Sequence, residues 1–159
     1  MGVMELNVNV FDAWTFRRAG AGVEYLLLHA SQAKAERWFN GGRFWQIPCE
    51  VMGAAERVPD AVRRLLGGFG LAPSAVWAAE HTYTIYNRRF EQLQLITVFA
   101  AEVTATAVEL DPEEHGEYRW CSYEEASRLV TFRGLKDGLA SVREYVTERS
   151  PPLPELRLV

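Results

Sequence analysis

Arginine and paired glycines share one side of a short amphipathic segment, DAVRRLLGGFG at residues 60–70. Side chains three and four positions apart lie on the same face of a helix, so Arg64, Gly67 and Gly68 would converge on one point. The apolar residues form the opposite stripe, which is expected to pack inward: Ala61, Val62, Leu65, Leu66 and Phe69. The polar face of this helix is therefore free to be a binding site.

Three arginines at or near this face are candidate ligand-binding residues: Arg57, Arg63 and Arg64. A guanidinium group matches phosphate oxygens in a bidentate manner and needs no metal ion to do so. The alternative is that each arginine is solvated, or that Arg63 braces the helix through ion pairs. The binding interpretation predicts a small phosphate-bearing ligand.

Acidic residues and a histidine supply the candidate catalytic groups. Glu56 lies just before the helix, and Glu114 and His115 lie in a later acidic loop. Gathered with other acids of these loops, they would form a substitute site for Mg²⁺ or Mn²⁺, which prefer oxygen ligands. The alternative is that these loop acids are simply solvated, as isolated surface carboxylates usually are.

Two aromatic residues, Trp45 and Tyr83, are candidates for stacking on a nucleobase or a pterin ring. Aromatic side chains within strands are core residues by default, so packing is the alternative for both. The histidines His29 and His81 lie in strand-like contexts, where hydrogen bonding within the core is the expected role.

The elements that must position these residues follow from hydrophobic periodicity and turn residues. Strands are predicted at 6–10, 23–28, 76–86, 93–103 and 105–110, with the third and fourth forming a hairpin. Helices are predicted from about residue 59 into the paired glycines, from Tyr123, and along a late apolar stripe: Leu135, Leu139, Val142, Tyr145 and Val146. Residues 30–44 are expected to form a surface loop, and the final residues a loose tail.

Length and composition favour one globular domain, residues 1–149, followed by a proline-rich C-terminal tail at 150–159. The net charge of −4 lacks the basic footprint of a nucleic-acid-binding protein. The sequence shows no signal peptide and no long apolar run, so we expect a cytoplasmic protein without a membrane partner. Cys49 and Cys121 are expected to be free thiols. A homodimer is one candidate oligomeric state, and the only reason to propose it is that homodimers are common among soluble proteins.

The segment from Trp45 to Leu71 resembles a Nudix box. That pattern is Gly, five residues, Glu, seven residues, Arg-Glu, an apolar residue, any residue, Glu-Glu, any residue, Gly and an apolar residue. Glu50 stands where the pattern has its glycine, and Glu56 keeps its first glutamate. The second half is matched, after a one-residue deletion near 57–59, by Arg63, Leu65, Gly70 and Leu71.

The resemblance to Nudix pyrophosphatases extends over roughly residues 6–147, including the stretch EHGEYRWCSYEEA at 114–126. It implies an α/β (α+β) fold, namely an α/β/α sandwich around a mixed β-sheet. In this family the box glutamates hold Mg²⁺ ions that bridge a substrate diphosphate and activate water. The family's Arg-Glu is Arg63-Arg64 here and its Glu-Glu is Gly67-Gly68, so three metal-binding carboxylates are replaced. An arginine among the ligand positions would repel the cation.

Three functional hypotheses remain. The favoured one is a Nudix-fold protein with weak or lost metal-dependent pyrophosphohydrolysis, which serves as a phosphate-ligand-binding or regulatory module and needs no cofactor. The second is an active hydrolase of nucleoside diphosphate-linked compounds that uses Glu56 and the late-loop acids with Mg²⁺ or Mn²⁺. The third is a structural subunit of a homo-oligomer. The fold alone does not choose between them.

Overall fold

One mixed β-sheet organises the chain in the computed structural model, which describes residues 2–20 and 22–159. The strands are β1 (Leu6–Ala19), β2 (Gly22–Ala30), β3 (Trp45–Gln46), β4 (Cys49–Val51), β5 (Ala75–Asn87), β6 (Gln92–Glu102) and β7 (His115–Cys121). The α-helices are α1 (Gln32–Trp38), α2 (Val58–Gly67), α3 (Tyr123–Leu129) and α4 (Arg133–Val142). A π-helical turn, Arg143–Thr147, continues α4, and a 3₁₀ turn, Pro154–Leu156, lies near the end of the chain.

The strand order is β3-β2-β1-β6-β5, with β4 added to β1 and β7 added to β2. The β1–β6 pair is parallel, and Ala13 lies opposite Phe99 in its register. The other strand pairs are antiparallel, including the β5–β6 hairpin. The sheet is therefore mixed, and β1 is bonded on both sides.

The alternation of β1 divides the core between the two faces of the sheet. Phe11 and Ala13 point to the face that α2 covers, where they pack with Leu26, Val62 and Leu66. Trp14 and Phe16 of β1 point to the other face. They pack with Val98 of β6 and with Leu139 and Val142 of α4. Helices on both faces of one mixed sheet confirm the predicted α/β/α sandwich.

Several predicted elements are present. The hairpin predicted at 76–86 and 93–103 is β5 and β6. The helix predicted to start at Tyr123 is α3, whose N-cap Ser122 accepts a hydrogen bond from the Glu125 amide. Cys49 and Cys121 are free thiols. Within the described residues, no helix is both long and apolar enough to cross a membrane.

The surface loop expected at 30–44 contains a helix, α1. Its N-cap is Ser31, whose hydroxyl accepts a hydrogen bond from the Lys34 amide. The helix is seven residues long and buries only Ala35, so its apolar periodicity is too weak to show in the sequence. The strand expected at 105–110 is absent. That segment lies over the α2 side of the core, where Val108 is buried and the Trp120 indole donates to the Thr106 carbonyl at 2.9 Å.

The C-terminal tail, expected to be loose, is docked on the edge of the sheet. The Leu158 amide donates to the Val76 carbonyl at 2.8 Å, and the Val76 amide donates to the Val159 carbonyl at 3.1 Å. Leu156 packs against the core on the α4 side. The tail thus pairs with the start of β5, which is otherwise the outer strand of the sheet.

Candidate functional site

The polar face of α2 is formed as the sequence predicts. Pro59 lies in the first turn, where its missing amide costs nothing, and Asp60 lies near the positive end of the helix. The inward stripe is buried: Ala61, Val62, Leu65 and Leu66. Burial of this stripe leaves Arg64 and Gly67 on the side of the helix that faces away from the core.

The helix α2 ends within the paired glycines, as the sequence predicts. The helix includes Gly67, and its C-cap is Gly68 in right-handed helical conformation. The chain turns at Gly70, whose φ of +71° favours glycine. A Cβ built on Gly67 would meet no atom within 4 Å, so this position has room for a side chain.

Arg64 makes a bidentate ion pair with Glu56 across the loop that precedes α2. Its Nε donates to Glu56 Oε1 at 2.9 Å, and its Nη2 donates to Glu56 Oε2 at 2.9 Å. The same Nη2 donates to the Val51 carbonyl at 3.0 Å. The Gly53 amide donates to Glu56 Oε2 at 2.8 Å, so both carboxylate oxygens of Glu56 are occupied by protein donors.

A second acid faces the same guanidinium group. Glu50 Oε2 lies 3.8 Å from Arg64 Nη1, so Arg64 stands between two carboxylates. The hydrogen bonds from Arg64, followed by the one from the Gly53 amide, lower the pKa of Glu56 to about 2. The same contacts with Glu56 raise the pKa of Arg64. The charge of the guanidinium group is thus balanced by the carboxylates that face it.

The other two candidate arginines are exposed. Arg63 Nη1 donates to Asp60 Oδ1 at 3.1 Å, an i,i+3 pair on the surface of α2. Arg57 is the N-cap residue of α2, and its side chain makes no capping hydrogen bond. Arg57 follows Glu56 in the sequence and Arg63 precedes Arg64, and both side chains are exposed to solvent.

The late-loop residues lie against α1. Glu114 Oε2 is 3.0 Å from Lys34 Nζ, and the neighbouring Glu113 faces Arg37 at 3.9 Å. Burial, reinforced by the charge of Lys34, lowers the pKa of His115 to about 4, so this imidazole is neutral at pH 7. Its ring lies 5.9 Å from that of Phe69.

The acids therefore do not gather as the substitute metal site requires. Glu56 is bound to Arg64, whereas Glu114 is bound to Lys34 on another helix. Within residues 2–20 and 22–159, no three His, Cys, Asp or Glu side chains lie close enough together to hold a metal ion. The expected joining of Glu56 with the late-loop acids is not what the structure shows.

The two aromatic candidates pack against the core on the α4 side of the sheet, opposite to the face that α2 covers. The Tyr83 hydroxyl donates a short hydrogen bond to Asp12 Oδ2, and its ring lies directly over Gly134. The Trp45 ring lies 4.6 Å from that of His29 between centroids, with the planes tilted by 33°, and the Arg119 guanidinium lies 5.0 Å from the Trp45 ring. Tyr83 is thus held by packing and one hydrogen bond, whereas Trp45 is half-buried.

The arrangement of sheet and helices also occurs in known proteins. No protein-family model matches the sequence, and no curated protein matches it. Solved structures do match. Ap4A hydrolase from C. elegans, as a binary complex, superposes with a TM-score of 0.70 at 17% identity, over 89% of this chain and 99% of that one. The chain has the Nudix fold.

Two further structures agree. The MutT protein from Methanosarcina mazei Go1 matches with a TM-score of 0.68 at 22% identity, over 89% of this chain and 96% of that one. The NUDIX domain of Shewanella oneidensis NrtR, complexed with ADP ribose, matches with a TM-score of 0.67 at 16% identity. That match covers 92% of this chain and 91% of the domain. At identities of 16–22%, the similarity between these structures and the present chain is one of fold.

The segment that resembles the Nudix box forms one continuous unit in this Nudix fold. It runs from β3 through β4 and the Glu56 loop into α2. The resemblance places metal-binding carboxylates at 64, 67 and 68, where this chain has a guanidinium group and two glycines. The guanidinium group binds the carboxylate that remains, Glu56.

Asp12, the partner of the candidate residue Tyr83, is a buried acid that sequence reasoning missed. It lies in the middle of β1 and is 3% exposed. Burial raises its pKa to about 6, although the hydrogen bond from Tyr83 opposes the shift. The signal was present, because Asp12 is the lone acid within an apolar run, FDAWTF at 11–16, on a strand buried on both faces.

Proposed function

We propose that this Nudix-fold chain is a binding module for a small, phosphate-bearing, nucleotide-like ligand, and that it does not hydrolyse the ligand through a metal centre on α2. One observation carries the proposal: Arg64 makes a bidentate pair with Glu56 and faces Glu50. A guanidinium group at that place binds the carboxylate that a metal ion would otherwise bind, and it leaves phosphate contacts to the neighbouring exposed arginines.

The electrostatics of the site oppose a divalent cation. A metal ion at Glu56 would have to displace two charge-assisted hydrogen bonds and then lie beside the charge of Arg64. Mg²⁺ also demands near-ideal octahedral oxygen ligands, and Glu56 directs both of its oxygens to protein donors. Metal-dependent pyrophosphohydrolysis through these residues is accordingly expected to be weak or lost.

The ligand class is inferred from the exposed arginines and from the relatives of the fold. Arg57 and Arg63 lie at the solvent-facing side of α2 and can offer guanidinium forks to phosphate oxygens. Structures with the same fold include an Ap4A hydrolase and a NUDIX domain complexed with ADP ribose. We extend this nucleotide-like class to the present chain.

A thermal-shift screen of nucleotides, dinucleotides and pterins, run with EDTA and with Mn²⁺, tests the proposal. Binding stabilises the folded state, so a ligand should raise the Tm in EDTA as well as in Mn²⁺. Arg57→Gln and Arg63→Gln should reduce the shift, whereas the matched variant Arg128→Gln, an exposed arginine of α3, should not.

Two results would contradict the proposal. Metal-dependent release of phosphate or nucleotide that Glu56→Gln abolishes would establish an active hydrolase instead. The absence of any shift across the screen, together with a concentration-dependent oligomer, would leave a structural homo-oligomer subunit as the function.

A further inference from the structure

A groove of about 520 Å³ lies at the end of the sheet where the C-terminal tail docks. Its walls are the start of β5, the end of β6, the residues after the π-helical turn and the tail itself. The charged side chains that line it are Arg18, Glu102, Arg149 and Arg157. Three guanidinium groups and one carboxylate give the lining a net charge of +2, in a chain whose net charge is −4.

The three arginines are held in place by similar contacts. Each guanidinium group lies near an aromatic ring: Arg18 near Phe16 at 5.6 Å, Arg149 near Tyr145 at 5.7 Å, and Arg157 near Trp77 at 5.9 Å. Such cation–π contacts orient the planar group at low entropic cost. The arginines are therefore arranged before any ligand arrives.

The Nε atom of each of these arginines is directed to a protein oxygen. Arg149 Nε donates to the Glu144 carbonyl at 3.1 Å, and Arg157 Nε donates to the Val159 carbonyl at 3.2 Å. Arg18 Nε lies 3.4 Å from Glu102 Oε1. Within the part of the chain that the structure describes, the terminal amino groups of these three arginines make no hydrogen bond to protein. Those amino groups remain for an anion.

We propose that this groove is a second binding site, for a small anion that carries phosphoryl groups. Tetrahedral phosphate oxygens accept several charge-assisted hydrogen bonds from arginine amino groups, and the volume suffices for a diphosphate. The site differs from the α2 face. Arg64 donates to the carbonyl of Val51, and Val51 pairs with Val10 of β1. Arg18 of the groove lies eight residues after Val10 on the same strand, so the two positions on β1 are roughly 26 Å apart at the usual rise per strand residue.

Calorimetric titration with inorganic pyrophosphate, in EDTA and at low salt, tests this inference. The wild-type chain should bind pyrophosphate, and Arg149→Gln and Arg157→Gln should each weaken binding about tenfold. Arg128→Gln, which removes the same charge from the exposed end of α3, should leave the Kd unchanged. Circular dichroism and the Tm check that each variant is folded.

A variant that is expected to tighten pyrophosphate binding separates the effect on the site from a loss of folding, since misfolding would only weaken binding. Glu102→Gln removes the one carboxylate of the lining and releases Arg18, so it should tighten pyrophosphate binding severalfold. Glu36→Gln, an exposed acid of α1, serves as its control. Absence of pyrophosphate binding would overturn the inference. So would groove variants that change the Kd no more than their controls do.

Discussion

Asp12 carries a carboxyl group that is 3% exposed and accepts its hydrogen bond from Tyr83. Because burial raises its pKa to about 6, the folded protein binds a proton between pH 4 and 6 that the unfolded chain releases. The free energy of unfolding therefore falls as the pH rises through this window. Above pH 6 the protein bears the full cost of a buried charge.

Asp12→Asn should be more stable than the wild type at pH 8, by ~1–3 kcal/mol, and this difference should vanish near pH 4. Urea denaturation at the two pH values measures it. Asp137→Asn, at an exposed position of α4, is the matched control and should not become more stable than the wild type as the pH rises. A difference that is equal at both pH values would refute the assignment of the raised pKa.

At the same scale, the sequence identified Arg64 as the unusual residue but did not identify its partner. The pair with Glu56 spans eight positions and depends on the loop conformation that turns Glu56 back toward α2. Loop geometry of this kind is set by local hydrogen bonds, such as that from the Gly53 amide, and leaves no periodic signal. The residue types therefore predicted a positively charged group at position 64, but they did not predict that it binds Glu56.

At the scale of elements, α2 ends with glycines that have different roles. Gly67 is helical and faces open space, so Gly67→Ala should raise the free energy of unfolding by about 0.5–1 kcal/mol through helix propensity. Gly70 has a φ of +71°, and a Cβ there would lie 2.9 Å from Glu109 Cδ. Gly70→Ala should therefore destabilise the protein by more than about 1 kcal/mol. Equal effects in urea denaturation would contradict this account of the helix end.

The elements that the sequence predicted are those with strong periodicity. The β5–β6 hairpin and α2 carry long alternating or amphipathic patterns, and both form where expected. The helix α1 was missed because a Ser31 cap and one buried alanine leave little pattern. The segment 105–110 has strand-like composition but finds no partner strand, since tertiary packing overrides its propensity.

At the scale of the whole molecule, the docked tail extends the sheet and forms one wall of the groove that Arg18, Arg149 and Arg157 line. Leu156 packs against the core, so Leu156→Ala should lower the free energy of unfolding by about 1–2 kcal/mol. Leu158→Ala, at a position that is 39% exposed, should have a smaller effect. A tail that is free in solution would make both substitutions neutral in urea denaturation.

The sequence did not predict this docking because a proline-rich segment without periodicity resembles a loose terminus. Its hydrogen bonds join residues 158 and 159 to Val76, more than eighty positions away. By contrast, the resemblance over roughly residues 6–147 predicted the Nudix fold, although the match to the Nudix box is partial.

We propose that Arg64 takes the place of a metal ion at Glu56, and Mn²⁺ calorimetry tests this replacement most directly. The wild-type chain should show no Mn²⁺ binding at millimolar concentration. The combined variant Arg64→Glu, Gly67→Glu and Gly68→Glu should gain such binding, since it places three carboxylates on this face. Gly67 has open space for a side chain, whereas a Cβ at Gly68 would lie 3.3 Å from the Leu65 carbonyl oxygen. Wild-type Mn²⁺ binding that Glu56→Gln abolishes would contradict the claim.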